Sequence, residues 1–131
     1  MPSTSLRLYI PQRNHIVWLD FDPTKGKEIG KYRPALVLSS EAYNRKSGLL
    51  ICCPISTSAR GVPTEVSVQD IENEYSVVAA NLIQTLSWKE RKVKFITEAD
   101  TNVMDEVLLR IIPLIGAEQL IEKLVADSMV S

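Results

Sequence analysis

The chain has 131 residues, of which 45% are hydrophobic and 24% charged, values typical of a single globular domain and unlike those of a disordered segment. No stretch approaches the roughly 18–20 apolar residues that a membrane span needs, and the first 13 residues lack the apolar core of a signal peptide. The formal net charge of −1 argues against a uniformly basic surface for nucleic acid.

The charges are distributed unevenly along the chain. Residues 1–66 carry nine basic and five acidic side chains, a net charge of +4. Residues 67–131 carry six basic and eleven acidic side chains, a net charge of −5. A polyanion could therefore meet a locally positive surface, although solvated loop charges would explain the same counts.

Most of the chain consists of short apolar runs separated by glycine and proline. Pro34 favours extended backbone for Arg33, and residues 24–32 before it hold two glycines and three lysines, which predicts a basic loop. Pro54 is expected to end the third strand, and an acidic turn is expected at 70–74. Strands are predicted over residues 16–21, 35–38, 49–53, 65–68, 76–80, 82–86 and 91–96.

The C-terminal part is predicted to be helical. Val103, Val107 and Ile111 have helical spacing, and Asp100 or Thr101 can cap a helix that the following proline, at 113, should kink or end. A second amphipathic helix is predicted from its apolar stripe: Ala117, Leu120, Ile121, Leu124 and Val125. Many short strands followed by helices indicate a mainly β, α+β domain built on a small barrel or a strongly bent sheet.

Several kinds of chemistry are excluded. One histidine, His15, and two adjacent cysteines cannot supply the four ligands of a structural zinc site. Strand alternation points Cys52 and Cys53 to opposite faces, so we expect inert buried thiols and a reducing cytoplasm. Asp20 and Asp22 share a strand face but lack the further oxygen ligands that magnesium needs. No metal or cofactor is therefore expected.

Other side chains suit phosphate and RNA. Arg33 offers a planar fork of donors for a phosphodiester, and Trp18 and Tyr32 could stack on bases. Hydroxyl groups follow the third strand and lysines line the basic loop: Ser56, Thr57 and Ser58, and Lys25, Lys27 and Lys31. These groups alone predict only a small β-rich domain that binds anions.

An ordered series of sequence blocks extends from Asn14 to Gly116. The blocks are Val17–Gly26, Glu28, Arg33–Ser39, Tyr43–Asn44, Gly48–Leu49, Cys53–Ile55, Gly61 with Pro63, Glu65 and Val66, and Ser87–Trp88 with Arg91. With these motifs the chain resembles the MazF/PemK toxins of bacterial toxin–antitoxin modules. The resemblance implies a single domain over 1–131: an N-terminal arm at 1–13, an SH3-like small barrel with a C-terminal helix at 14–116, and an additional amphipathic helical extension at 117–131.

The same resemblance implies the activity. It predicts a homodimeric, cytoplasmic, sequence-specific endoribonuclease that cleaves single-stranded mRNA without metal or ribosome and is paired with a cognate MazE-like antitoxin. Attack by the RNA 2′-hydroxyl would leave a 2′,3′-cyclic phosphate and a 5′-hydroxyl. The helical extension lies outside the resemblance, so its apolar face must be buried on the barrel, on a second subunit or on a partner.

The resemblance also assigns roles to residues. Arg33 matches the catalytic arginine of the family, and the catalytic threonine falls on Ser56 with Thr57 beside it, so either hydroxyl could serve. Leu82 stands where the family usually has glutamine, so the cleavage sequence is expected to differ. The residues expected to bind RNA are Trp18, Thr24, Lys25, Lys27, Glu28 and Arg91.

Two alternatives from other classes remain. One is a toxin of related fold that inhibits DNA gyrase, as CcdB does, and the other is a catalytically silent SH3-like module that binds RNA. Arg33 together with the hydroxyl loop favours the ribonuclease, because a gyrase inhibitor has no need of them.

Overall fold

The computed structural model of the chain describes residues 8–23, 26 and 30–130. These residues form strands β1 (His15–Asp20), β2 (Tyr32–Val37), β3 (Leu49–Ser56), β4 (Glu65–Ile71), β5 (Glu74–Ala79), β6 (Gln84–Ser87) and β7 (Lys94–Glu98), and helices α1 (Glu41–Ser47), α2 (Val103–Leu114) and α3 (Ala117–Ser128). A short 3-10 helix spans Ala80–Leu82. Within the described residues, no helix is both long and apolar enough to cross a membrane.

The strands form one curled antiparallel sheet in the order β4-β5-β3-β2-β1-β7, with β6 paired to β3. Its two edges approach each other through a side chain of β4, because Gln69 donates to the carbonyl oxygen of Glu98 and accepts from the backbone N–H of Asp100. The result is a mainly β half-barrel with C-terminal helices, which confirms the predicted fold class.

The core has two parts, one on each face of the sheet. The first is covered by α2 through Val103, Val107 and Ile111. The second is built around Trp88 and the opposite faces of the central strands. Cys53 belongs to the first part and Cys52 to the second, and both thiols are free and buried, as predicted. Burial raises the pKa of the Cys53 thiol to about 12, so it is inert at neutral pH.

The prediction that Pro54 ends the third strand is wrong, because β3 continues to Ser56. On one side, β3 pairs with β6 as far as Cys52 and with β5 from Ile55 onwards. Pro54 therefore lies where the neighbouring strand changes from β6 to β5. The strand can continue through a proline at this position because no ladder hydrogen bond from its amide is needed there. The predicted acidic turn is confirmed as the β4–β5 hairpin, with left-handed backbone at Glu72 and Asn73.

Helix α1 was not predicted from the sequence. The hydroxyl oxygen of Ser40 caps its first turn by accepting from the backbone N–H of Tyr43, and Gly48 ends it in the left-handed conformation with φ of 75°. Its buried Asn44 donates to the carbonyl oxygen of Pro11 in the N-terminal arm. The arm is thus tied to the barrel over its described part, residues 8–13.

The two C-terminal helices are confirmed with one correction. Pro113 lies in the last turn of α2, which ends one residue later, as expected. The predicted caps Asp100 and Thr101 are wrong, because Asn102 precedes the helix and makes no capping side-chain hydrogen bond. No residue of α3, all of which the structure describes, is buried. The barrel of this chain therefore does not cover the apolar stripe of α3.

Candidate active site

The pairing of β2 with β3 brings the two main candidate residues together. Ala35 lies opposite Pro54 in this antiparallel pair. Continuing this register two positions beyond the last paired residues brings Arg33 to the level of Ser56, and strand alternation puts both on the same face of the sheet. The residues are 23 positions apart in the sequence, and only the strand pairing makes them neighbours.

Arg33 and Ser56 line one open cleft of about 620 Å³. Thr57 and Ser58 contribute at the same end, so the structure brings the predicted catalytic residues and the hydroxyl loop together. The remaining lining comes from the loop before β2, the β3–β4 connection, the first residue of β4, the last residue of β5 and the 3-10 helix: Gly30, Arg60, Val62, Thr64, Glu65, Ala79, Asn81 and Leu82. An open cleft of this volume can take a nucleotide and its phosphates.

The backbone holds Arg33 in place. Its Nε donates to the carbonyl oxygen of Gly30 at 2.6 Å, which fixes one edge of the guanidinium. Partial burial lowers the pKa of Arg33 below its usual value, and the nearby Asp22 carboxylate opposes that shift. An arginine in this setting is still a cation at neutral pH, so it presents a positioned positive charge to the cleft.

The structure distinguishes the two candidate hydroxyls. The Ser56 oxygen accepts from the backbone N–H of Ser58 at 3.0 Å, and Ser56 is half-buried at the end of β3. That bond uses an acceptor position and leaves the hydroxyl hydrogen available to a ligand in the cleft. Thr57 is exposed in the loop. Ser56 is therefore the better positioned donor.

Sequence reasoning missed two charged residues of this cleft, Arg60 and Glu65. Glu65 is predicted from the sequence as part of a strand and of a family sequence block, without a role, but its carboxylate accepts from the backbone N–H groups of Arg60 and Gly61. The signal in the sequence is an arginine-glycine pair in a loop followed four residues later by an acidic residue at the strand start. Such a carboxylate can close the loop on itself by accepting its backbone N–H groups.

Two of the predicted RNA-binding residues lie elsewhere. Trp18 stacks on Tyr32, with ring centroids 5.5 Å apart, and strand alternation places both on the face opposite to Arg33. Arg91 lines a separate pocket of about 290 Å³, where its Nη1 donates to the carbonyl oxygens of Asp20 and Asp22. RNA contact by Trp18 and Arg91 stays a prediction, on surfaces outside the cleft of Arg33.

The other four predicted RNA-binding residues lie outside the described residues: Thr24, Lys25, Lys27 and Glu28. Their roles also stay predictions. Within residues 8–23, 26 and 30–130, no group of three or more potential metal-ligating side chains occurs.

His15 belongs to an aromatic cluster away from the cleft. The Tyr9 hydroxyl and the His15 Nδ1 share a hydrogen bond of 2.6 Å, and Phe95 packs edge-on against the His15 ring at 4.8 Å between centroids. Partial burial lowers the pKa of His15, while Glu98 and Glu41 act in the opposite direction. These contacts give His15 a structural role, consistent with its being neutral at physiological pH.

The fold and the cleft define a class: a small curled β half-barrel that presents a positioned arginine and a serine hydroxyl to an anionic ligand. Residues 12–115 match the family of PemK-like, MazF-like toxins of type II toxin–antitoxin systems. The chain belongs to this family. The match ends at residue 115, before α3.

Relatives with known activities support the assignment. The chain is 40% identical to the endoribonuclease toxin MazF of Escherichia coli K12 over 83 residues, which cover 63% of this chain and 74% of the relative. It is 33% identical to the endoribonuclease toxin ChpB of the same organism over 108 residues, covering 76% and 90%. Homologues of the chain are thus named endoribonuclease toxins, and the chain is a MazF-like endoribonuclease toxin.

Solved structures agree with this assignment. The crystal structure of MazF from Deinococcus radiodurans superposes with a TM-score of 0.78 at 40% identity, covering 82% of this chain and 98% of that one. A MazE–MazF crystal structure from the same organism superposes with a TM-score of 0.71 at 36% identity, covering 82% and 97%.

Proposed function

We propose that this toxin cleaves single-stranded mRNA at specific sequences, without a metal ion and without the ribosome. The observation that carries the proposal is the placement of Arg33 and Ser56 on neighbouring strands of one open cleft. A cation and a hydroxyl donor side by side suit the charged oxygens of a phosphodiester.

The proposed reaction uses the RNA as its own nucleophile. The 2′-oxygen attacks the adjacent phosphorus and loses its proton to a base, while the bond from phosphorus to the 5′-oxygen breaks. The departing 5′-oxygen takes up a proton, so the products are a 2′,3′-cyclic phosphate and a 5′-hydroxyl. Between these states the phosphorus carries five oxygens and additional negative charge, which is where stabilisation is needed.

The cleft residues divide this work between them. Arg33 stabilises the charge that develops on the phosphate oxygens, and Ser56 adds a hydrogen bond from a fixed oxygen. A guanidinium stays protonated at neutral pH and is a poor base, so we assign Arg33 to charge stabilisation and to donation of a proton to the leaving group. Glu28, the single carboxylate of the basic loop at 24–32, is our candidate for the base.

The test is an incubation of purified protein with a long single-stranded RNA in excess EDTA. We expect cleavage at discrete sites, 5′-hydroxyl ends that a kinase can label directly, and 3′ ends that resist tailing until the cyclic phosphate is opened and the resulting monophosphate is removed. RNA that carries a 2′-deoxynucleotide at a cleavage site should stay intact there. A gyrase inhibitor or a silent RNA-binding module gives no cleavage, and that outcome would refute the proposal.

We further propose that the toxin is a homodimer controlled by a cognate MazE-like antitoxin. The relative from Deinococcus radiodurans is known in MazE–MazF complexes, and the net charge of +4 over residues 1–66 suits a flexible acidic segment. Such a segment would cover the cleft and exclude RNA. A competition experiment checks this: the antitoxin should displace a labelled RNA, and simultaneous binding of both would contradict it.

A further inference from the structure

The β3–β4 connection places a second arginine in the cleft. Arg60 lines it together with Arg33 and Ser56. The two ion pairs found among the described residues, Arg45–Glu41 and Arg110–Glu106, do not involve it. Its positive charge is therefore not committed to a carboxylate of the described chain.

The backbone at Arg60 is held firmly by Glu65. Both carboxylate oxygens accept from the Arg60 backbone N–H at 3.0 Å, and one also accepts from Gly61 at 2.9 Å. Gly61 has a φ of +71°, a left-handed conformation that glycine adopts without strain. The connection is thus closed into a tight turn from which the Arg60 side chain extends.

The use of Glu65 as a backbone acceptor has an electrostatic consequence. Its negative charge is directed at the N–H dipoles of the turn and forms no ion pair with an arginine side chain of the described residues. The cleft is left with two arginine charges, Arg33 and Arg60, against this one occupied carboxylate. Arginine binds phosphate through parallel N–H donors, so the second charge suits a second phosphate of an RNA strand.

We propose that Arg60 binds the RNA phosphate next to the scissile one, and that Glu65 is the positioning residue that holds it there. This rests on the proposed function of the cleft as an RNA site. A contact with a phosphate that does not react is equally strong before and during the reaction, so it acts on binding and not on the chemical step. Arg60 thus acts in RNA binding, whereas Arg33 acts in the chemical step.

The test measures binding and cleavage separately. Binding is followed by the fluorescence anisotropy of a mixed-sequence single-stranded RNA with 2′-O-methyl riboses, which lacks the nucleophile, over a range of salt concentrations. We expect Arg60→Ala to weaken binding about tenfold and to reduce the salt slope by about 0.7 to 1, the value of one phosphate contact. The single-turnover cleavage rate at saturating protein should stay within about twofold of the wild type.

Two further variants control the result. Arg60→Lys keeps the charge and should recover most of the affinity. Arg45→Ala removes an exposed arginine of α1 that is paired with Glu41, and should change neither affinity nor salt slope. Unchanged affinity and slope in Arg60→Ala would overturn the proposal. If the wild type binds the RNA in an Arg60-dependent way but cleaves none, the catalytic proposal fails and the binding role of Arg60 stands.

The role of Glu65 is tested by comparing the RNA affinities of the single variants with that of the double variant. Glu65→Ala should weaken RNA binding, and Glu65→Gln, which keeps one acceptor oxygen, should weaken it less. Because Glu65 acts through Arg60, the double variant should bind RNA no more weakly than Arg60→Ala alone. Additive losses in the double variant would contradict a positioning role.

Discussion

At the scale of single residues, the cleft depends on side chains whose orientation the backbone sets. Arg33 is fixed through its Nε by Gly30, and Ser56 is fixed through its oxygen by the N–H of Ser58. In each case one hydrogen-bonding position is used for orientation and others remain for a ligand. This arrangement provides donors that need no reorganisation when a phosphate binds.

The choice between the two hydroxyls is a prediction at this scale. Ser56→Ala should slow RNA cleavage about 100-fold, the usual cost of removing one donor aimed at developing charge, whereas Thr57→Ala should slow it less than about fivefold. The measurement is the single-turnover rate at saturating protein. Ser67→Ala, an exposed serine of β4, is the matched control. A larger loss in Thr57→Ala than in Ser56→Ala would reverse the assignment.

His15 gives a second prediction, on pH. Burial lowers its pKa in the folded chain below the usual value of 6.5, so the unfolded chain binds the proton more readily. Its contribution to stability is therefore complete above about pH 6.5 and is lost as the pH falls through the lower, folded value. Glu98 and Glu41 act in the opposite direction and limit the effect.

We expect the wild type to lose stability relative to His15→Phe when the pH is lowered from 7.5 to about 5.5. Urea unfolding at several pH values measures the difference, and Phe95 provides an apolar surface against which the introduced ring can pack. Parallel pH profiles for the two proteins would show that His15 does not titrate in this way.

At the scale of elements, α1 shows how one buried side chain can anchor a short helix to its neighbours. The side-chain amide of Asn44 accepts from the Ser39 hydroxyl and donates to the carbonyl oxygen of Pro11. The backbone carbonyl oxygen of Asn44 accepts from the indole N–H of Trp88. One residue thus links the N-terminal arm, the helix and the second part of the core.

Asn44→Ala should lower the free energy of unfolding by about 2–3 kcal/mol, because it leaves buried partners without hydrogen bonds. Urea denaturation gives the value. Asn102→Ala is the matched control, since Asn102 is exposed and makes no capping side-chain bond. Equal effects of the two substitutions would show that the buried network adds little.

Helix α3 is an element of a different kind, because it follows the residues that match the family and buries none of its own residues. Deleting residues 117–131 should shift the thermal unfolding midpoint by less than about 4 °C, which corresponds to less than about 1 kcal/mol. The deletion should also reduce self-association, since the exposed apolar stripe is removed. Calorimetry and sedimentation measure both, and a large loss of stability would show that α3 supports the barrel.

At the scale of the whole molecule, local patterns predicted most of the fold. Alternation and punctuation by glycine and proline located the strands, and apolar periodicity located α2 and α3. Helix α1 has seven residues and no apolar stripe, so its only signals were Ser40 and the Glu41–Arg45 pair. The predicted end of the third strand at Pro54 is wrong because the change of strand partner along β3 is a property of the sheet and not of the local sequence.

The candidate site was predictable from the sequence in part only. The family resemblance identified Arg33 and Ser56, but their adjacency comes from the long-range pairing of β2 with β3. Arg60 and Glu65 were missed because the closure of the turn depends on backbone N–H groups, and the arginine-glycine pair followed by an acidic residue is only a weak signal of it. The net charge of −1 is misleading for a different reason, since it averages a basic part of the chain, residues 1–66 at +4, with an acidic part, residues 67–131 at −5.

The most direct test of the central claim is the effect of Arg33→Ala on the cleavage of single-stranded RNA in EDTA. We predict a loss of about 10² to 10³ in the single-turnover rate, with the fold unchanged by circular dichroism, because Arg33 is half-buried and lies outside both parts of the core. Arg33→Lys, which keeps the charge but not the fork of donors, should recover only a part of the rate. Undiminished cleavage by Arg33→Ala would contradict the assignment of this cleft as the active site.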